Sequence, residues 1–339
     1  MHKRADIRNR NSYRMIIFIL LACFVAASFM FSLRCGSLKI SYMEIFHALF
    51  ANSDDVNYQI IWNIRLPRNI TAALVGICLS ISGAILQGVM RNPLASPNII
   101  GVSSGGGLAA IIIMIVLPQY IHLLVPVAFC GALTATVMIY LLAWKHGAQP
   151  MRLVLAGIAV SSFLGACMST LMLFFPDKVA GTLNFMIGGL SGRYWKHVNI
   201  IWPYALAGSI LAFGTSKRLN IMALGDEMAV SLGVNVELSR MLLIIISALL
   251  AAASVSVAGL LGFVGLIAPH IMRMVIGSDH RLLFPACILF SSGLVMTCDT
   301  IGRIILDPIE LPVGVIMAFI GAPFFLYLLK RKDKDANIN

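Results

Sequence analysis

The chain has 339 residues, of which 59% are hydrophobic and only 12% charged. A soluble domain carries roughly twice that charged share, so the solvent for most of this chain is lipid. The formal net charge of +11 does not indicate nucleic acid, because Lys and Arg sit at the chain ends and between apolar runs, with no basic stretch interleaved with aromatics.

The apolar run that follows Arg14 is long enough to span a bilayer and no A-x-A-like site follows it, so it reads as a retained first helix and not as a signal peptide. Residues 1–14 then form a basic cytoplasmic segment, 15–330 one membrane domain and 331–339 a cytoplasmic tail. In chain order the candidate spans are 15–33, 70–90, 99–117, 123–144, 153–175, 200–213, 241–261, 263–276, 283–301 and 313–329. Each approaches the length of about 20 apolar residues that a crossing needs, and about ten crossings result. Two of them, 200–213 and 263–276, are short, and the second contains Pro269, His270 and Arg273. Loop charge tests the count. Lys3, Arg4, Arg8, Arg10 and Arg14 at one end and Lys330, Arg331, Lys332 and Lys334 at the other predict both termini inside, hence an even number. Ten spans place most of the 25 Lys and Arg on the inner side, while Glu44, Asp54, Asp55, Asp307 and Glu310 fall outside. The expected class is therefore an all-α polytopic membrane protein. The stretch 176–197 is too polar to cross and predicts a short helix near the outer surface.

The cysteines Cys23, Cys35, Cys78, Cys130, Cys167, Cys287 and Cys298 include no C-x-x-C pair, so no metal site or disulfide framework is expected. Gly105-Gly106-Gly107 superficially matches a phosphate loop, but no Lys-Ser/Thr follows and the run enters a span, which favours close helix packing. His270 beside Pro269 is expected to satisfy backbone groups freed by the proline. No phosphate-binding loop occurs, so this chain does not hydrolyse ATP by itself. An ion-driven secondary transporter needs an ionisable group near the bilayer midplane, whereas the acids here fall at span ends or in loops, Asp299 being the deepest. A membrane receptor or structural subunit without transport function is the other alternative.

Several segments stand out from the apolar background. They are Arg65-Leu66-Pro67-Arg68, Arg91-Asn92-Pro93-Leu94-Ala95-Ser96-Pro97, Leu224-Gly225-Asp226-Glu227-Met228-Ala229-Val230-Ser231-Leu232-Gly233-Val234, Gly262-Phe263-Val264-Gly265-Leu266-Ile267-Ala268-Pro269-His270, Glu310-Leu311-Pro312-Val313-Gly314 and Gly321-Ala322-Pro323-Phe324-Phe325. In this order and spacing they resemble the permeases of ABC importers for iron-siderophores, haem and cobalamin, the FecCD-type family, from Trp62 to Leu329. Phe185 departs from the pattern, standing where many members have tryptophan.

The resemblance implies a ten-helix subunit of the bacterial cytoplasmic membrane that pairs with a second permease, the same chain or a paralogue, around a central pathway. It also implies two ATPase subunits inside, which use ATP and Mg²⁺, and an extracytoplasmic binding protein outside; this chain itself holds no cofactor. Iron-siderophore is the default cargo, with haem and cobalamin behind it. Arg65, Arg68 and Arg303 match positions that receive acidic residues of the binding protein. Read without the family, the first two snorkel to lipid phosphate and the third pairs with Asp299 at i,i+4. The segment 225–234 matches the ATPase-coupling element. Asp226 and Glu227 suit the N-terminus of a short helix, Gly233 its stop, and Met228 and Leu232 an apolar anchor beside Ala229. Asn92, Pro93 and Leu94 match a turn at the cytoplasmic mouth of the pathway, and otherwise read as punctuation between helices.

Overall fold

The computed structural model describes residues 11–36, 38, 40–50, 56–144 and 150–336, which are helical almost throughout with no β-strand among them. Lys3, Arg4, Arg8, Arg10, Lys39, Asp54, Asp55 and Lys145 lie outside the described residues. Among the described residues seven helices are long and apolar enough to cross a bilayer, and three shorter apolar helices bring the number to the ten crossings expected from hydropathy.

Helix α1 (Asn11–Arg34) is followed by the short α2 (Tyr42–Phe50). The second crossing starts as α3 (Val56–Ile60), passes through a π-turn (Ile61–Arg65) and continues as α4 (Leu66–Val89). Then come α5 (Val102–Ile111), α6 (Leu124–Ala143) and α7 (Pro150–Phe174). The polar stretch after α7 forms α8 (Pro176–Ile187), the short non-crossing helix the sequence predicts. The sixth crossing, α9 (Trp195–Met222), has 28 residues and corrects the short span read from hydropathy. Its ends carry Lys196, His197, Lys217, Arg218 and Asn220, which lower any sliding average while leaving the helix unbroken. The second half comprises α10 (Asp226–Ser231), α11 (Val236–Ala258), α12 (Val264–Ile276), α13 (His280–Ile304) and α14 (Val313–Ala336). An even number of crossings returns the chain to its starting side. The end of the bundle where α1 starts and α14 finishes is the terminal face, and the other the distal face.

Helix α4 is the centre of the bundle, packed by α9, α11, α12 and α13. Its crossing and that of α11 are each 78% buried, against 22% for α1 and 17% for α7. Lipid tails are as apolar as leucine, so burial in a membrane relies on close packing and interhelical hydrogen bonds, which small residues permit. α4 supplies them: Ser80 Oγ lies 2.9 Å from Ser291 Oγ on α13, and Ser82 Oγ donates to the Ser247 carbonyl on α11 at 2.9 Å. The glycine run of α5 serves packing as expected. A Cβ on Gly105 would stand 2.4 Å from the Gly131 carbonyl oxygen of α6, so these two helices touch backbone to backbone.

The tightest approach lies between α4 and α12, where a Cβ on Gly83 would sit 1.7 Å from the Gly265 carbonyl oxygen. Gly83→Val is expected to cost about 3 kcal/mol through overpacking and to abolish the monodisperse peak in detergent size-exclusion. Gly214→Val, where a Cβ meets nothing within 4 Å, leaves the profile unchanged.

Candidate functional site

Charge gathers at the two ends of α4. At the distal end Arg68 clasps Asp299 of α13 bidentately, Nε to Oδ2 at 2.8 Å and Nη2 to Oδ1 at 3.0 Å, and gives Nη1 to Glu310 at 2.9 Å. Arg303 reaches the same carboxylate at 3.4 Å and donates to Thr300 Oγ1 at 3.0 Å and Ser32 Oγ at 2.6 Å. Arg65 turns back onto α1 and its exit, donating to the carbonyls of Leu33, Arg34 and Leu38. The three arginines read from the sequence therefore stand together, yet each is buried, at 5%, 7% and 5% exposure for Arg65, Arg68 and Arg303. Their partners within this chain are Asp299, also buried, and backbone or hydroxyl oxygens; only Glu310 keeps about a third of its side chain in the open. Three guanidiniums against two carboxylates leave this end positive. The i,i+4 pair of Arg303 and Asp299 is present, and Arg68 is the stronger partner of that acid.

At the terminal end the segment 225–234 folds as the sequence predicts. Gly225 (φ +116°) turns the chain, α10 starts at Asp226, and Gly233 (φ +77°) follows its end. Asp226 is held from two sides. Arg240 Nη2 at the start of α11 reaches both its oxygens at 2.9 Å, and Arg91 Nη2 reaches Oδ1 at 3.2 Å. Ala229 is fully buried beneath α10, while Leu224, Met228, Val230 and Leu232 are each more than half exposed. The helix is thus pinned on its inner side and presents an apolar ridge outward, beside a depression of about 630 Å³ that Arg91 and Glu227 help to line.

The turn after α4 is tied to the same point. Arg91 adopts φ +49°, an uncommon conformation for a residue with a side chain. Asn92 N–H then bonds the Gln87 carbonyl at 3.1 Å, and Asn92 Oδ1 accepts the Leu94 N–H at 2.9 Å. Asn92, Pro93 and Leu94 form a closed, exposed turn whose first anchor is the Arg91–Asp226 pair. The sequence reading noted Arg91 in its motif but gave neither it nor Arg240 a role, although an acid beside two arginines in loops of one side was a usable signal. The His270 ring packs edge-on against Phe324 at 6.2 Å, an aromatic contact with α14. Among the described residues no cluster of three His, Cys, Asp or Glu is placed to hold a metal.

The distal cluster makes a sharp energetic prediction. Asp299→Asn leaves buried guanidiniums without their anion and is expected to cost about 3–5 kcal/mol. Glu310→Gln, at the exposed rim, should cost no more than about 1 kcal/mol. Thermal unfolding of the two variants in detergent, followed by loss of helical ellipticity, measures the difference.

Comparison with known proteins identifies the family. The FecCD transport family model matches residues 21–331. The chain is 39% identical over 317 residues to the Fe(3+)-citrate import system permease protein YfmE of Bacillus subtilis, covering 93% of this chain and 95% of that one. It is 35% identical over 344 residues to the hemin transport system permease protein HmuU of Yersinia pestis, covering 99% of each. A solved structure described as an inward-facing conformation of a metal-chelate type ABC transporter superposes with a TM-score of 0.83 at 29% identity, over 93% of this chain and 99% of that chain. With its whole membrane domain matched in sequence and in fold, the chain belongs to the FecCD transport family.

Proposed function

We propose that this chain is the permease subunit of a binding-protein-dependent ABC importer that carries a ferric siderophore complex into the cytoplasm across the bacterial inner membrane. The observation that carries the reading is α10, an apolar ridge at the terminal face whose Asp226 is clamped both to α11 and to the Asn92–Pro93–Leu94 turn. A rigid knob tied ionically to a turn at the mouth of a bundle suits a motor that pushes from outside. In this reading the terminal face is cytoplasmic, Gly225, Asp226, Glu227, Met228, Ala229, Leu232 and Gly233 receive one of two ATPase subunits, and ATP and Mg²⁺ act there and not on this chain. The position of Asp299 supports an external engine. It lies near the distal end of α13, neutralised by Arg68 and Arg303, where it is no free midplane proton carrier.

A second permease, this chain or a paralogue, packs against α7 in this reading. α7 is the least buried crossing and exposes Ser162, Ser169 and Thr170, small polar groups suited to another helix more than to lipid. The binding protein docks on the distal face. Of Arg65, Arg68 and Arg303, Arg68 is the one whose ion pair reaches the surface, through Glu310, so a docking carboxylate meets it by replacing Glu310. Hemin in the name of one relative keeps haem as a second reading of the cargo, and cobalamin in the name of another keeps cobalamin beside it.

Co-expression with an ATPase subunit tests the proposal. The full chain is expected to copurify with it, and Met228→Glu/Leu232→Glu to lose it while remaining monodisperse. Asp226→Asn should keep the complex but lower chelate-stimulated ATP hydrolysis several-fold. Uptake into vesicles that persists without ATP and collapses with the proton gradient would assign the chain to secondary transport instead.

A further inference from the structure

One cleft belongs neither to the charged clusters at the ends of α4 nor to the exposed face of α7. It has a volume of about 740 Å³ and lies between α6 and α9, which both pack on α11, with Ser256 of α11 and Phe185 of α8 among its lining. Its body is apolar, and Phe129 and Tyr204 meet across it with ring centroids 5.0 Å apart. Its rim is cationic, with Arg193 and Lys196 beside His122 and His197, and no carboxylate lines it.

Arg193 is the unusual member. Among the described residues it makes no ion pair, and its buried Nε meets no hydrogen-bond acceptor. Burial, with the nearby charge of Arg68, holds its pKa below the ordinary arginine value, so the guanidinium is set where its charge is uncompensated. A buried charged donor left unsatisfied is costly, and an anion at this rim removes that cost.

Position selects the kind of anion. Trp195, two residues on, stacks with Trp62 at 6.2 Å and donates Nε1 to its carbonyl at 2.8 Å, with Tyr58 against the same Trp62. Such aromatic belts mark the level of the lipid headgroups. Below the rim the cleft runs onto membrane-facing stripes at helical spacing: Cys130, Val137 and Leu141 on α6, and Tyr204 and Leu211 on α9, all exposed. The opening is therefore lateral, toward hydrocarbon.

We infer that this cleft binds an anionic phospholipid of the distal leaflet, with its phosphate between Arg193 and Lys196 and an acyl chain laid along the surface of Phe129, Ile200 and Tyr204. A free phosphate fills the rim but not the apolar body, and a zwitterionic lipid fills the body while its own ammonium competes for the phosphate. The inference needs only a chain that spans a bilayer and is independent of the cargo and of the ATPase.

Native mass spectrometry of the full chain in detergent, with phosphatidylglycerol, phosphatidylcholine or inorganic phosphate added, tests it. Phosphatidylglycerol is expected to be retained about thirtyfold better than phosphatidylcholine, as two interfacial cations imply. Arg193→Gln/Lys196→Gln should erase that preference. Cys130→Trp, which fills the apolar body and leaves the cations alone, should lower retention of both lipids, and it decides the matter if the charge variant does not fold. Equal retention of the two lipids, or an unchanged preference in the double variant, overturns the inference. Displacement of the lipid by millimolar phosphate would make this a free-anion site, and displacement by ferric citrate a cargo site; either result also overturns it.

Discussion

The molecule depends on one packing constraint, the close enclosure of α4. A helix surrounded by four others inside a bilayer gains nothing from leaving lipid for protein unless backbones approach closely and every polar group finds a partner. Gly83 against Gly265 supplies the close approach, and Ser80 and Ser82 find their partners in Ser291 and Ser247. Larger residues at these points would force α12 or α13 outward and open the centre of the bundle.

Because α4 is enclosed, it can act as a rigid rod. Its 24 residues extend about 36 Å. Arg68, near its start, is locked to Asp299 and Glu310, and Arg91, just past its end, is locked to Asp226. The two charged clusters are thus opposite ends of one element. Displacement of α10 bears on the Asn92–Pro93–Leu94 turn, and displacement of Glu310 bears on the loop that leads into α14. Neither cluster lies at mid-membrane, where an ion pair costs most.

The clusters also differ in how firmly they are set. Asp299 is almost wholly buried and shared by two arginines, an arrangement that breaks only at large cost. Asp226 is 42% exposed, and of its two arginines Arg91 is 39% exposed, so that tie is weaker and more readily exchanged. A firm distal joint and a looser terminal one suit a subunit driven from the terminal side.

The sequence by itself determined the number and rough limits of the crossings, the short helix after α7, and the helix at Asp226 with its glycine boundaries. Each of these follows from local periodicity, run length or a turn residue. The full reach of α9 was hidden because charged ends look like loops to a hydropathy average. What only the tertiary structure decided is which charges meet. Arg68 and Asp299 are 231 positions apart, and Arg91 and Asp226 are 135 apart. The sequence showed arginines free to face outward at the distal end; the fold turns them inward, because a guanidinium near hydrocarbon must find its acceptors within the protein. The same reason draws attention to Arg193, whose Nε finds no acceptor and whose guanidinium makes no ion pair among the described residues.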